Sequence, residues 1–261
     1  MSETSYKNTP VRYFTEGKGT AVVLLHGFLE DLSMWDEITP ALSENHQVIK
    51  VDLFGHGETG NLGYVHSMEE QARMVRAVLS ESGTGNYAVI GHSMGGYVAL
   101  AMAEMYPDEI TGICLMNSTS LADTSEKQIN RERAIQAVKQ NHRSFVRIAI
   151  PGLFAPYNRE KFTKEIKELT RIGLNMTPQG IIAALEGMKI RTDRSAVFEK
   201  SPVPKLLITG EQDPALDQES LIPQMRYKGV ETVTFKDGHM SHIENKEGLT
   251  ASLLDFLKEI G

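Results

Sequence analysis

The 261-residue sequence predicts an α/β protein: a doubly wound, mostly parallel sheet with a helical cap inserted between two late strands. Three observations carry this expectation. Short β-rich apolar runs alternate with helical stretches along the chain. Those runs are apolar without alternation, as strands covered by helices on both faces must be. One long stretch, residues 119–200, breaks the alternation and contains no convincing strand.

The elements follow in order. Residues 5–15 are expected to supply one or two antiparallel edge strands. Ala-Val-Val-Leu-Leu at 21–25 is short, branched and ends near Gly27, so it reads as a buried strand. Runs at 48–53, 87–91, 112–116, 205–209 and 231–235 read the same way. Between them lie helical stretches at 68–82, 94–105, 219–225 and 246–260. In the interrupting segment, Phe162, Ile166 and Leu169 share one helical stripe, and Ile181, Leu185 and Met188 share another. Thr177-Pro178 has the form of an N-cap followed by proline at the first helical position. Pro151, Gly152 and Pro156 break the helices before it. Residues 1–118 and 201–261 therefore form the expected core, and 119–200 the helical cap. A connection this long calls for a structure of its own.

Composition narrows the function. The formal net charge is −7, and no basic stripe is present that would neutralise phosphates, so nucleic acid is not an expected partner. The acidic balance also argues against binding to anionic membranes, and no apolar run is long enough to span a bilayer. The first residues, Met-Ser-Glu-Thr-Ser-Tyr-Lys, lack the apolar stretch of a signal peptide. The single cysteine, Cys114, excludes an internal disulfide and sits in an apolar run that reads as core. A soluble cytoplasmic protein acting on a small molecule is the expectation.

The chemistry centres on Gly91-His92-Ser93-Met94-Gly95. This G-x-S-x-G follows the run 87–90 and opens the helical stretch after it. That strand–turn–helix context is what a nucleophile elbow requires: a sharp turn lifts the Ser93 hydroxyl above the sheet edge at a helix N-terminus. A phosphate-binding turn is the competing reading, but no G-x-x-x-x-G-K-[ST] is present. Met94, directly after the serine, is the expected donor of one oxyanion-hole N–H.

Further motifs stand in a fixed order around this one. They are His26-Gly27-Phe28, Asp52-Leu53-Phe54-Gly55-His56-Gly57, Gly95-Gly96, Gly210-Glu211-Gln212-Asp213 and Gly238-His239. Together they resemble the α/β-hydrolase superfamily over most of the chain, closest to small, cofactor-free carboxylesterases and related C–C, lactone and thioester hydrolases. The resemblance implies Ser93, Asp213 and His239 as nucleophile, acid and base, with Phe28 as the second oxyanion N–H donor. It implies no cofactor and a small acyl substrate. Glu211 and Asp217 are rivals for the acid, but Asp217 opens a helix, where an acid caps well. His242 is the rival base. His242 and His239 as a metal pair would lack a third ligand. His46, His66 and His142 lie in polar stretches and read as solvated.

The expected reaction is hydrolysis of an acyl ester, lactone or thioester through an acyl-enzyme. Alternatives on the same fold are a cofactor-free perhydrolase, a C–C bond hydrolase and a slow-turnover ligand receptor. A pocket is expected from Trp35, Phe145, Phe154, Leu185, Met188 and His242, with Ile148, Leu153 and Ile181 as further cap candidates. Arg191 and Arg194 are expected to pair with acids at the hinge. With no cation seen facing the pocket, the expected preference is for uncharged acyl groups.

Overall fold

The computed structural model describes residues 2–260. Among these residues, eight strands form one sheet in the order β1-β2-β4-β3-β5-β6-β7-β8. They are β1 (Ser2–Tyr6), β2 (Thr9–Glu16), β3 (Thr20–Leu25), β4 (His46–Val51), β5 (Tyr87–His92), β6 (Ile110–Met116), β7 (Lys205–Gly210) and β8 (Val230–Phe235). The first two are antiparallel, as are β2 and β4, and every later pairing is parallel. The expected edge strands at 5–15 are thus a hairpin, turning at Lys7 and Asn8 with positive φ.

The helices are α1 (Thr39–Ser43), α2 (Met68–Glu81), α3 (Met94–Met105), α4 (Ser125–Gly152), α5 (Thr163–Asn175), α6 (Pro178–Lys189), α7 (Ser195–Lys200), α8 (Gln218–Met225), α9 (Ser241–Glu244) and α10 (Lys246–Lys258). The sheet separates two apolar layers because strand side chains alternate between faces. Val23 and Leu25 of β3 join α2 and α3 through Val75, Met74 and Val98. Val22 and Leu24 point the other way, onto Leu42, Leu249, Leu253 and Phe256. Trp35 is fully buried in that second layer. Truncating one of these buried aliphatic side chains to alanine would cost about 2–5 kcal/mol.

Between β6 and β7 the chain runs through α4 to α7 with no strand among them. Helix α4 is broken at Asn141, whose backbone is extended, and the Asn141 Oδ1 accepts from Ser144 N to restart the helix. Thr177 caps α6 by accepting from Gly180 N, with Pro178 at the first position. Ile135, Val146, Leu169 and Ile181 of this segment join the same apolar cluster as α2 and α3. The segment is therefore seated on the sheet domain's own core. Its return to β7 is pinned by ion pairs of two buried arginines: Arg191 with the buried Asp123, and Arg194 with the partly exposed Glu69 and Glu104. Both arginines take the hinge role expected of them.

The histidines depart from expectation in one place. His66 is fully buried, stacked against Phe54 at 5.5 Å between ring centres, and its backbone N–H donates to Ala183 O of α6. The seat of α6 dries a stretch that looks polar in sequence.

Burial dominates the pH response of folding. It pulls His66 and His242 down to about 4 and His56 to about 3, and pushes Asp52 up to about 6. A histidine depressed in the fold stabilises fully above its ordinary value and loses that contribution as pH falls toward the folded value. Asp52 works in the opposite sense, gaining as pH falls from about 6. Between pH 6.5 and 5, unfolding should therefore take up about two protons, three by these histidines less one by Asp52. Thermal denaturation across this range should show a falling midpoint, and His66→Asn should make the dependence shallower by about one proton.

Candidate active site

The strand order reverses at β3: β4 lies on one side of it and β5 on the other. At such a switch point the loops leaving the two C-terminal ends diverge and open a crevice. Leu25 pairs with Gly91, so the loops carrying Phe28 and Ser93 start side by side.

Ser93 has φ 49° and ψ −113°, a strained conformation held by its neighbours. Its N–H donates to Met116 O, and its carbonyl accepts from the Ser118 hydroxyl at 2.7 Å. The turn is tight: a Cβ on Gly95 would lie 2.4 Å from Leu25 O. Helix α3 can therefore start beneath Ser93 only because glycine stands there. Among the described residues, the Phe28 and Met94 N–H groups have no hydrogen-bond partner.

The Phe28 loop is a turn closed by Glu30 N donating to Gly27 O, with Leu29 at φ 66°. A branched residue in that conformation is disfavoured, and burial of Leu29 with anchoring of Glu30 offsets the cost. Glu30 Oε2 accepts from Gly27 N at 2.8 Å and faces His92 Nδ1 at 2.7 Å. His92 Nε2 donates in turn to His239 O at 3.0 Å. Both ring nitrogens thus act as donors, which is the imidazolium pattern. Burial pulls His92 down, but the Glu30 carboxylate outweighs it and raises the ring above the ordinary histidine value.

Asp213 leaves β7 and His239 leaves β8. Asp213 Oδ2 accepts from His239 Nδ1 at 2.7 Å, and Oδ1 accepts from Ala215 N at 2.8 Å. Burial pushes the Asp213 carboxyl up, but His239, Asn117 and the Ala215 N–H together hold it below the usual carboxylate range. The rivals lie elsewhere. Glu211 is exposed, and Asp217 caps α8 by accepting from Glu219 N. An ionised carboxylate on Nδ1 fixes the imidazole so that Nε2 is the free base, which is what proton transfer from a hydroxyl requires.

Two holding groups are not evident from motif reading. Asn117, at the end of β6 with φ 44°, donates through Nδ2 to Asp213 Oδ2 at 3.1 Å and to Gly238 O at 3.2 Å. Glu244 accepts from Gly238 N and Met240 N on one oxygen, and from Ala155 N and Asn158 Nδ2 on the other. It ties the His239 loop to the chain between α4 and α5, where Leu153 O also accepts from His239 N.

Ser93 and His239 line one cavity of about 370 Å³ together with Phe28, Tyr97, Phe145, Leu153, Leu185 and Met188. That volume suits a small to medium ligand. Of the residues expected in the pocket, Phe145, Leu185 and Met188 are there. Trp35 is not, because it packs beneath the opposite face of the sheet. Phe154 is buried against Phe162. His242 faces a separate cleft between α5 and α9, and Ile148 is 76% exposed on the outer side of α4. The expectation of a pocket without cations is overturned: Lys127 and Arg131 line it. A larger cleft of about 580 Å³ near β2 and β4 contains none of Ser93, Asp213 or His239, and several of its charges pair within it, as in Lys50 with Asp36. Glu30, His92 and His242 offer ligand atoms within 4.8 Å of one another, but His92 spends both nitrogens as donors and has no lone pair for a metal.

The sequence pattern of the α/β hydrolase fold matches residues 20–246. The chain belongs to the α/β hydrolase family. This hydrolase is 29% identical over 96% of both chains to a putative 2-succinyl-6-hydroxy-2,4-cyclohexadiene-1-carboxylate synthase of Bacillus subtilis. A thermophilic esterase from Thermogutta terrifontis, solved with malate bound, superposes with a TM-score of 0.91 at 28% identity, covering 99% of this chain and 97% of that one. An enol-lactonase from Burkholderia xenovorans also gives 0.91, at 22% identity over 99% and 100% of the two chains, and shows the shared fold. Among the described residues, no helix of the hydrolase is long and apolar enough to cross a membrane.

Asn117→Gly keeps the left-handed backbone and removes one donor from a buried carboxylate. It should lower kcat/KM roughly tenfold with little change in KM, measured by steady-state ester hydrolysis.

Proposed function

We propose that this hydrolase cleaves a small or medium acyl ester, lactone or thioester through an acyl-enzyme on Ser93. The hydrogen bond between His239 Nδ1 and Asp213 Oδ2, behind a cavity that Ser93 shares, is the observation that carries this reading. His239 takes the Ser93 proton as the hydroxyl attacks the acyl carbon. Negative charge develops on the carbonyl oxygen, and the unpartnered Phe28 and Met94 N–H groups face that role. His239 then returns the proton to the leaving group, and water enters by the same base to release the acid. Asp213 stays ionised throughout and fixes the ring. The esterase and enol-lactonase likenesses support this chemistry by analogy of fold.

His242 does not compete as base in this scheme. Burial keeps it neutral, and it faces Glu30 and another cleft.

A fluorophosphonate probe should label the wild type at Ser93 and leave Ser93→Ala unlabelled. Labelling at another serine would move the nucleophile. His239→Ala and Asp213→Asn should each lower turnover by orders of magnitude, about 10⁴ for the acid by comparison with other triads. His242→Ala should retain most activity in the same assay, and a dead His242→Ala beside an active His239→Ala would reverse the assignment.

A further inference from the structure

The cavity wall contributed by the start of α4 is charged. Lys127 and Arg131 are four residues apart and so share a helix face. Both line the cavity that holds Ser93 and His239, with Asn130 beside them. Two features make these charges available to a ligand.

The first is an imbalance of partners. Arg131 meets Asp123 side-on, through Nε at 2.5 Å and Nη2 at 3.4 Å. Arg191 meets the same carboxylate from the other side. Burial pushes Asp123 up, but the two guanidinium groups outweigh it and hold it below the usual range, so it stays ionised. One negative charge therefore faces two positive ones. Among the described residues, Arg131 Nη1 has no partner, which leaves one edge of its fork open. Among the described residues Lys127 makes no ion pair and reaches only Ala215 O, at 3.4 Å, on the loop that follows Asp213.

The second is the absence of compensating acid. Glu30 is the one acidic group lining the cavity among the described residues, and it is committed to His92. A chain of net charge −7 thus places a cationic wall opposite its candidate nucleophile. The remaining lining, Phe28, Phe145, Leu185 and Met188, is apolar. A ligand matching both features is an acyl group with an apolar middle and a carboxylate at its far end.

We propose that this site selects substrates bearing a free carboxylate on the acyl portion, bound by Lys127 and the open edge of Arg131. The inference rests on the acyl-transfer reading of Ser93 for its kinetic consequence, but not for binding. Fork-to-carboxylate contacts combine charge with geometry, so they position the acyl chain as well as attract it.

Two measurements test it. The first compares kcat/KM for p-nitrophenyl hemiglutarate and p-nitrophenyl valerate, which differ by a carboxylate in place of a methyl group. The hemiglutarate ester should be preferred, and raising ionic strength should narrow the preference. Lys127→Met and Arg131→Met should each cut the charged-to-neutral ratio about tenfold, while Lys258→Met, on the far helix α10, should leave the ratio as it is. The second is calorimetric titration of glutarate into the Ser93→Ala protein, which should bind it, with affinity falling about tenfold when Lys127→Met is added. Among the described residues Lys127 forms no ion pair, so this variant reports on binding even if Arg131→Met unfolds. A faster neutral ester, a ratio unchanged in Lys127→Met, or no Lys127-dependent glutarate binding overturns the proposal. If neither ester turns over but glutarate binds through Lys127, the acyl-transfer reading fails and the carboxylate site stands.

Discussion

The structure is organised by the fixed spacing of a parallel sheet. Neighbouring strands lie about 4.8 Å apart, and Ser93, Asp213 and His239 leave three different strands, with β6 standing between β5 and β7. The candidate triad side chains therefore start on strands too far apart to meet directly. Their loops have to lean over the end of β6 and be held there. The backbone at that edge shows the strain: Ser93 and Asn117, at the ends of adjacent strands, both have positive φ, and so does Leu29 beyond β3.

Buried polar groups do the holding, and each spans two of the converging loops. Asn117 grips Asp213 and the carbonyl before His239. Ser118 grips the carbonyl of Ser93. The Glu30–His92 pair joins the Phe28 turn to the carbonyl of His239. Such groups are costly to bury without partners, and the bonds each makes to two loops offset that cost. Even Gly27 is explained by this network, because a Cβ there would lie 2.4 Å from Glu30 Oε2. The turn proposed to offer an oxyanion donor and the loop carrying His239 are thus one mechanical unit.

Helices α4 to α7 serve two ends at once. Their apolar faces complete the core over α2 and α3, and the inner face of α4 and α6 closes the cavity above Ser93. Asp123 stands at the junction of these roles. It fixes Arg191 at the hinge, with that guanidinium 3.9 Å over the Tyr97 ring, and it orients Arg131 at the cavity wall. One carboxylate shared by two arginines leaves surplus charge where a ligand would sit.

Local patterns in the sequence suffice for the strand and helix order, the G-x-S-x-G turn, the caps at Thr177 and Asp217, and the candidacy of Asp213 and His239, which the fold brings into hydrogen-bond contact. Each depends on periodicity or on a short motif whose geometry is set by neighbours in the chain. Residues whose meaning depends on distant partners are not legible that way. Glu30 looks like a loop acid until His92, sixty-two positions on, faces it. Asn117 reads only as the residue that ends a strand until Asp213 arrives beside it. Trp35, Phe154 and His242 look like pocket residues, but Trp35 packs in the apolar layer on the other face of the sheet, Phe154 is buried against Phe162, and His242 faces a separate cleft. Lys127 and Arg131 look like the solvated face of a helix. Only the packing of α4 over the sheet edge turns that face inward, because which side of an amphipathic helix meets a cavity is fixed by the surface it docks against.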